Sequence, residues 1–95
     1  MSGYRLSPKA ESDLEDIWIY TFNEWTIKQA DGYYNEILTV MERLASGKLK
    51  GRKADIRNGY LKYPAGKHLI FFRPIEDEIE VIRILHQSMD FERHL

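Results

Sequence analysis

Two apolar runs, His68 to Phe72 and Ile79 to Leu85, stand close together and are rich in β-branched and aromatic residues. Between them lies Arg73-Pro74-Ile75-Glu76-Asp77-Glu78. Proline does not donate to a central ladder and the acidic triplet favours water, so the chain is expected to reverse there as a β-hairpin. A shorter strand is expected around Tyr60 to Tyr63. Leu69 and Phe71 are apolar on one face of the first run, and Ile70 and Phe72 on the other. A sheet that is apolar on both faces needs cover on both. The helical first half of the chain supplies one cover, and a partner is the expected source of the second.

Tyr4-Arg5-Leu6 reads as a short extended segment. Ser7-Pro8 then has the pattern of a helix start, with Ser7 as N-cap and Pro8 where a missing N–H costs nothing. Ala10, Leu14, Ile17, Trp18, Thr21 and Trp25 recur at helical spacing and form one stripe. Ile19 falls on the polar face and Phe22 at the edge of the stripe, which makes both candidates for an external contact. Single exposed apolar residues are common, however, and that account is the stronger one for Ile19 alone. Thr26 with Gln29 has capping-box spacing and opens a second helix, Ile27 to Ser46, closed at Gly47 by a left-handed residue. Its apolar face is wide, and Tyr33 and Val40 on one flank are expected at an edge or a partner contact. Two helices with so short a link should form an antiparallel hairpin.

The run Lys48 to Lys53, KLKGRK, has two readings. Clustered Lys and Arg suit a phosphate-contacting loop. Charge after a helix C-terminus is also a common solvated connector, and pattern alone favours the connector. Beyond the hairpin, Ser88 is a candidate cap for a short terminal helix anchored by Met89 and Leu95.

The length, 95 residues, fits a single domain spanning 1–95. With 14 basic and 15 acidic side chains the formal net charge is −1, so the whole-molecule field does not drive nucleic-acid binding. The absence of cysteine excludes disulfides and thiolate metal sites. With no signal-like N-terminus and no membrane-spanning stretch, a cytoplasmic protein is expected. His68, His86 and His94 lie on separate elements without metal-ligand spacing, so neither a metal nor any other cofactor is expected. Walker, dinucleotide-binding and HExxH motifs are absent. Metal-free RNA cleavage needs a base, an acid and a cation at the phosphorane, and Arg73, Arg83, His86 and Tyr63 offer suitable chemistry on the sheet. In the competing structural account, Arg73 and Arg83 pair with Glu78 or Glu80, while His86 ends a face shared with Ile82 and Ile84. That account is the stronger one.

The order LSPKAESDLEDIWIY, Gln29-Ala30, Arg43-Leu44-Ala45, then RxGYxxxPxGxH from Arg57 to His68, Ile70 to Arg73, and RILHxxMD from Arg83 to Asp90 resembles ParE-type toxins of the RelE/ParE superfamily. The resemblance implies an α+β fold of order β-α-α-β-β-β-(α), with a helical hairpin packed on a small antiparallel sheet. It implies the toxin of a bacterial type II toxin-antitoxin system, stabilising a plasmid in some settings. The expected target is DNA gyrase and the expected partner a ParD-like antitoxin, whose folding C-terminal region gives Ile19, Phe22, Tyr33 and Val40 a purpose. ParE-type toxins bring no catalytic set to carry over. RelE-type relatives cleave mRNA on the ribosome with lysine, arginine and tyrosine or histidine, so that reading keeps Arg73, Arg83 and His86 in view; a non-toxic binding module is the third reading.

Overall fold

The computed structural model describes residues 3–95 of the chain. Eight elements follow in order: β1 (Tyr4–Leu6), α1 (Pro8–Glu24), α2 (Ile27–Ala45), β2 (Arg52–Lys53), β3 (Leu61–Ala65), β4 (His68–Ile75), β5 (Glu78–His86) and α3 (Phe91–His94). Both expected helix starts form. The Ser7 hydroxyl accepts the Ala10 N–H at 3.0 Å, and Thr26 accepts that of Gln29 at 3.1 Å. Ser46 is the C-cap of α2 and Gly47, at φ +80°, makes the left-handed exit.

The five strands lie in the order β1-β5-β4-β3-β2. From β2 to β5 every pairing is antiparallel, as expected, but β1 joins β5 in parallel, Tyr4 opposite Ile79 and Leu6 opposite Val81. The hairpin reverses over Glu76 and Asp77 only, with Glu76 at φ +55°. Pro74 is therefore inside β4, opposite Ile79. It is tolerated because β3 begins with Leu61 opposite Phe72, so β4 has no second neighbour at that level. Two-residue β2 lies in the basic stretch where a connector was expected.

The helical hairpin covers one face. Leu14, Ile17, Ile37 and Met41 pack there on Ile70, Phe72, Val81 and Ile84. The opposite face is covered by the chain itself and not by a partner: Phe71 and Leu85 are buried beneath Ala54, Ile56, Tyr60, Phe91 and Leu95. The Phe91 ring meets Phe71 edge-on at 5.1 Å. Two arginines hold this terminal cover, Arg57 donating to the Leu95 carbonyl and Arg83 to that of His94, each at 3.0 Å. The terminal helix starts at Asp90 rather than Ser88, and of the two expected anchors only Leu95 packs inward, Met89 being 44% exposed. Trp25, expected on the buried stripe of α1, is instead exposed at the elbow between the helices, as is Ile27.

Beyond Leu6 the outer edge of β5 has no strand beside it, and side chains from the first helical turns replace one. The Ser7 hydroxyl donates to the Ile82 carbonyl at 2.7 Å, and the Asp13 carboxylate accepts the Ile84 N–H at 2.9 Å. The exposed ladder groups of an edge strand are thereby satisfied internally.

Candidate functional site

Register decides which side chains share a face, because partners opposite one another in a ladder point the same way. Tyr63 is opposite Ile70 and packs on the main core, and His86 is opposite His68; both lie on the helix side. Arg73 is opposite Glu80 and Arg83 opposite Phe71, on the side of the terminal cover. The four candidates for RNA cleavage are thus divided between the two faces. Along β5, Glu80 and His86 are six residues apart, about 20 Å at 3.3 Å per residue, so Arg73 and His86 stand at opposite ends of the hairpin. A bulge between Phe71 and Phe72 leaves Ile82 without a partner, while Ile84 and His86, opposite Ile70 and His68, share the helix-side face as expected.

Both arginines are occupied. Arg73 pairs with Glu80 at 2.9 Å across the hairpin, as the structural account expects. Arg83 does not pair with Glu78 or Glu80. It reaches round the edge of β5 to Asp13 on α1, Nε to Oδ2 at 2.8 Å and Nη2 to Oδ1 at 2.9 Å. These two side chains are 15% and 13% exposed, which makes this the most enclosed ion pair among the described residues. The carboxylate hydrogen bonds raise the Arg83 pKa further above its usual value, so its charge is fixed and internally neutralised.

Sequence reasoning did not foresee the polar cluster at the other end of the hairpin. The Tyr33 hydroxyl lies 2.7 Å from His68 Nδ1 and 3.2 Å from the Ala65 carbonyl, and accepts the Lys67 N–H at 2.9 Å. Its ring fills the space over Gly66, whose φ of +60° makes the turn between β3 and β4. Burial, and next the neighbouring His86, push the His68 pKa down to about 4, so the ring is neutral at physiological pH. The Tyr33 proton is assigned to the shorter contact, which places the imidazole proton of His68 on Nε2. The His86 ring meets that of His68 edge-on at 5.3 Å. His86 Nδ1 accepts the Ser88 N–H at 3.1 Å and lies 2.7 Å from the Ser88 hydroxyl, so Ser88 holds the histidine instead of capping a helix. Register brings His68 and His86 together and the packing of α2 on the sheet adds Tyr33, and neither has a signature in the sequence. Among the described residues no group of three metal-ligating side chains occurs.

This cluster lies at one wall of an open groove of about 1090 Å³, whose other wall includes Tyr20, Thr21, Trp25 and Gln29. Tyr20 and Trp25 are 65% and 67% exposed, and Ile27 57%. Ile19 and Phe22 also reach solvent, on α1, with Phe22 stacked on Trp18 at 5.3 Å. Tyr33 and Val40 are half-buried and pack on the main core.

Comparison with known proteins places this geometry. The family model described as the ParE toxin of the type II toxin-antitoxin system parDE matches residues 4–91. The chain belongs to the ParE toxin family. Toxin ParE1 of Mycobacterium tuberculosis is 44% identical to this ParE family member over 96 aligned positions, covering 99% of this chain and 98% of that protein. Toxin ParE1 of Caulobacter vibrioides is 38% identical, covering 100% and 99%. Among solved structures, a chain of the chromosomal ParDE system from P. aeruginosa superposes with a TM-score of 0.79 at 20% identity, covering 90% of this chain and 96% of that one. A chain of the YoeB-YefM toxin-antitoxin complex of Staphylococcus aureus superposes at 0.59 and 15% identity, covering 90% and 95%. At such identities the two superpositions establish a shared α+β fold. The ParE family member has no helix among its described residues long and apolar enough to cross a membrane.

Proposed function

We propose that this ParE-family chain acts by binding DNA gyrase and thereby blocking replication, and that a ParD-like antitoxin neutralises it in a hetero-oligomer. The dispersal of Tyr63, Arg73, Arg83 and His86 over two faces, with Arg83 neutralised by Asp13, carries this reading. A ribonuclease transition state needs acid, base and cation around one phosphate, and these groups surround no common point. Recognition through a surface makes no such demand.

The antitoxin contact is assigned to the elbow. Trp25 and Ile27 are exposed there, and Ile19, Tyr20 and Phe22 on the helix that leads to it, so five large apolar side chains reach solvent between Ile19 and Ile27. Tyr33 borders the adjoining groove, and Val40 supports the same helix from within. Supercoiling of relaxed plasmid by purified gyrase, with the protein titrated in and a ParD-like antitoxin added back, tests the target. Loss of supercoiling that the antitoxin restores is the expected result. Unimpeded supercoiling at stoichiometric excess refutes gyrase as target and directs the protein to translating ribosomes. For the contact, Phe22→Ser with Ile19→Ser should weaken antitoxin binding in a fold of unchanged stability, and unchanged affinity removes both residues from it.

A further inference from the structure

The basic run from Lys48 to Lys53 belongs neither to the core nor to the elbow. Leu49 packs on the main core. A Cβ at Gly51 would stand 2.4 Å from Phe72 Cζ and 3.2 Å from Leu61 Cβ, so this position is pressed against the sheet. Alternation then turns Lys50 and Arg52 outward. Arg52 is directly opposite Lys62 in the ladder of β2 and β3, which places like charges side by side, a destabilising arrangement in isolation. Among the described residues, none of Lys48, Lys50, Arg52, Lys53 and Lys62 makes an ion pair. Protection of a free edge explains cations on β2. It does not explain Lys62, because β3 is flanked on both sides.

We propose that Lys50, Arg52 and Lys62 form a docking surface for the phosphate backbone of duplex DNA. The choice of duplex DNA rests on the gyrase reading, since gyrase holds such a duplex; the affinity for phosphate rests on the surface alone. A phosphate backbone fits better than an acidic polypeptide because a protein interface needs an apolar centre. Among the described residues the exposed large apolar side chains are Ile19, Tyr20, Phe22, Trp25, Ile27 and Met89, none of them on this stretch. With a formal net charge of −1 the attraction is local and independent of base sequence.

Fluorescence anisotropy of a short labelled duplex, without gyrase, tests the surface. Three neutralised phosphates give a slope of log affinity against log salt of about −2.7, or about fortyfold weaker binding at 200 than at 50 mM salt. Arg52→Gln with Lys62→Gln should reduce the slope to about −0.9 and the loss to about three- to fourfold. Lys50→Gln alone should change it by about 0.9 in the same direction, an independent check on a solvent-facing residue. The like-charge pair predicts that the double variant unfolds no more easily than the parent. Absence of binding at the lower salt, a slope untouched by these substitutions, or displacement of the duplex by polyglutamate at equal charge would overturn the proposal, the last pointing to an acidic polypeptide. If the duplex does not bind while gyrase is still inhibited, only this surface is lost. Duplex binding with unimpeded supercoiling leaves the surface standing and removes the gyrase reading.

Discussion

Replacing Asp13 with alanine removes three interactions at once: both hydrogen bonds to the Arg83 guanidinium and the acceptor for the Ile84 N–H. Arg83 would be left with its charge in a site where its side chain is only 15% exposed. Breaking an enclosed ion pair from one side costs about 3–5 kcal/mol, and the residual exposure, which lets water approach, selects the lower end, about 3 kcal/mol. A domain of this size has about 5–14 kcal/mol in total, so the loss is large without being fatal. It corresponds to a fall in Tm of about 12–24 °C in a thermal melt followed by circular dichroism. The origin of the penalty can be isolated. If it comes from the stranded charge, adding Arg83→Leu to Asp13→Ala should recover part of it, because leucine would lie beside Phe71 on an apolar face. A loss below about 1 kcal/mol for the single variant, or a double variant no more stable than the single, would refute the reasoning.

Two further predictions concern the ends of the hairpin. His68 has a folded pKa of about 4 against an ordinary 6.5, so between these values the unfolded chain binds more protons and stability falls as pH falls. The lost stability is about 1–2 kcal/mol after allowance for solvent screening at a half-buried ring. Urea midpoints at pH 7 and pH 4 should converge in His68→Gln relative to the parent, and an unchanged difference assigns the acid sensitivity elsewhere. Phe91→Ala strips the ring that meets Phe71 and should destabilise by about 2–3 kcal/mol, less than a fully buried phenylalanine because Phe91 is only half-buried. Increased binding of a hydrophobic dye is the second readout, and a melt indistinguishable from the parent would show that the terminal cover contributes nothing.

The parts of this fold that were legible in the sequence are those set by neighbours along the chain. Ser7-Pro8 and Thr26 cap their helices through bonds spanning three residues, Gly47 turns the exit of α2, and two apolar runs around an acidic turn make a hairpin. What was not legible depends on register. Alternation within β4 was readable, yet the bulge beside Phe71 shifts β5 by one residue and cannot be seen from composition. That shift helps to place Arg83 opposite Phe71, from where it reaches a carboxylate seventy positions earlier in the chain. The same dependence hides the meeting of His68 with His86 and the division of the cleavage candidates between two faces. The second cover was misassigned for a simpler reason. Ile56, Phe91 and Leu95 are scattered singly among polar residues, and nothing periodic announces that they converge.

The parallel seam between β1 and β5 has a consequence for the order in which the chain can fold. Its first strand has one neighbour in the sheet, and that neighbour begins at Glu78. A chain still emerging from the ribosome can form its helices early, but it cannot seat β1 or close the free edge with Asp13 until β5 has been made, nor cover Phe71 until Phe91 and Leu95 have followed. Contacts of such long sequence separation also slow the search for the native state. A chain interrupted before Glu78 therefore lacks the strand that joins its beginning to the rest of its sheet.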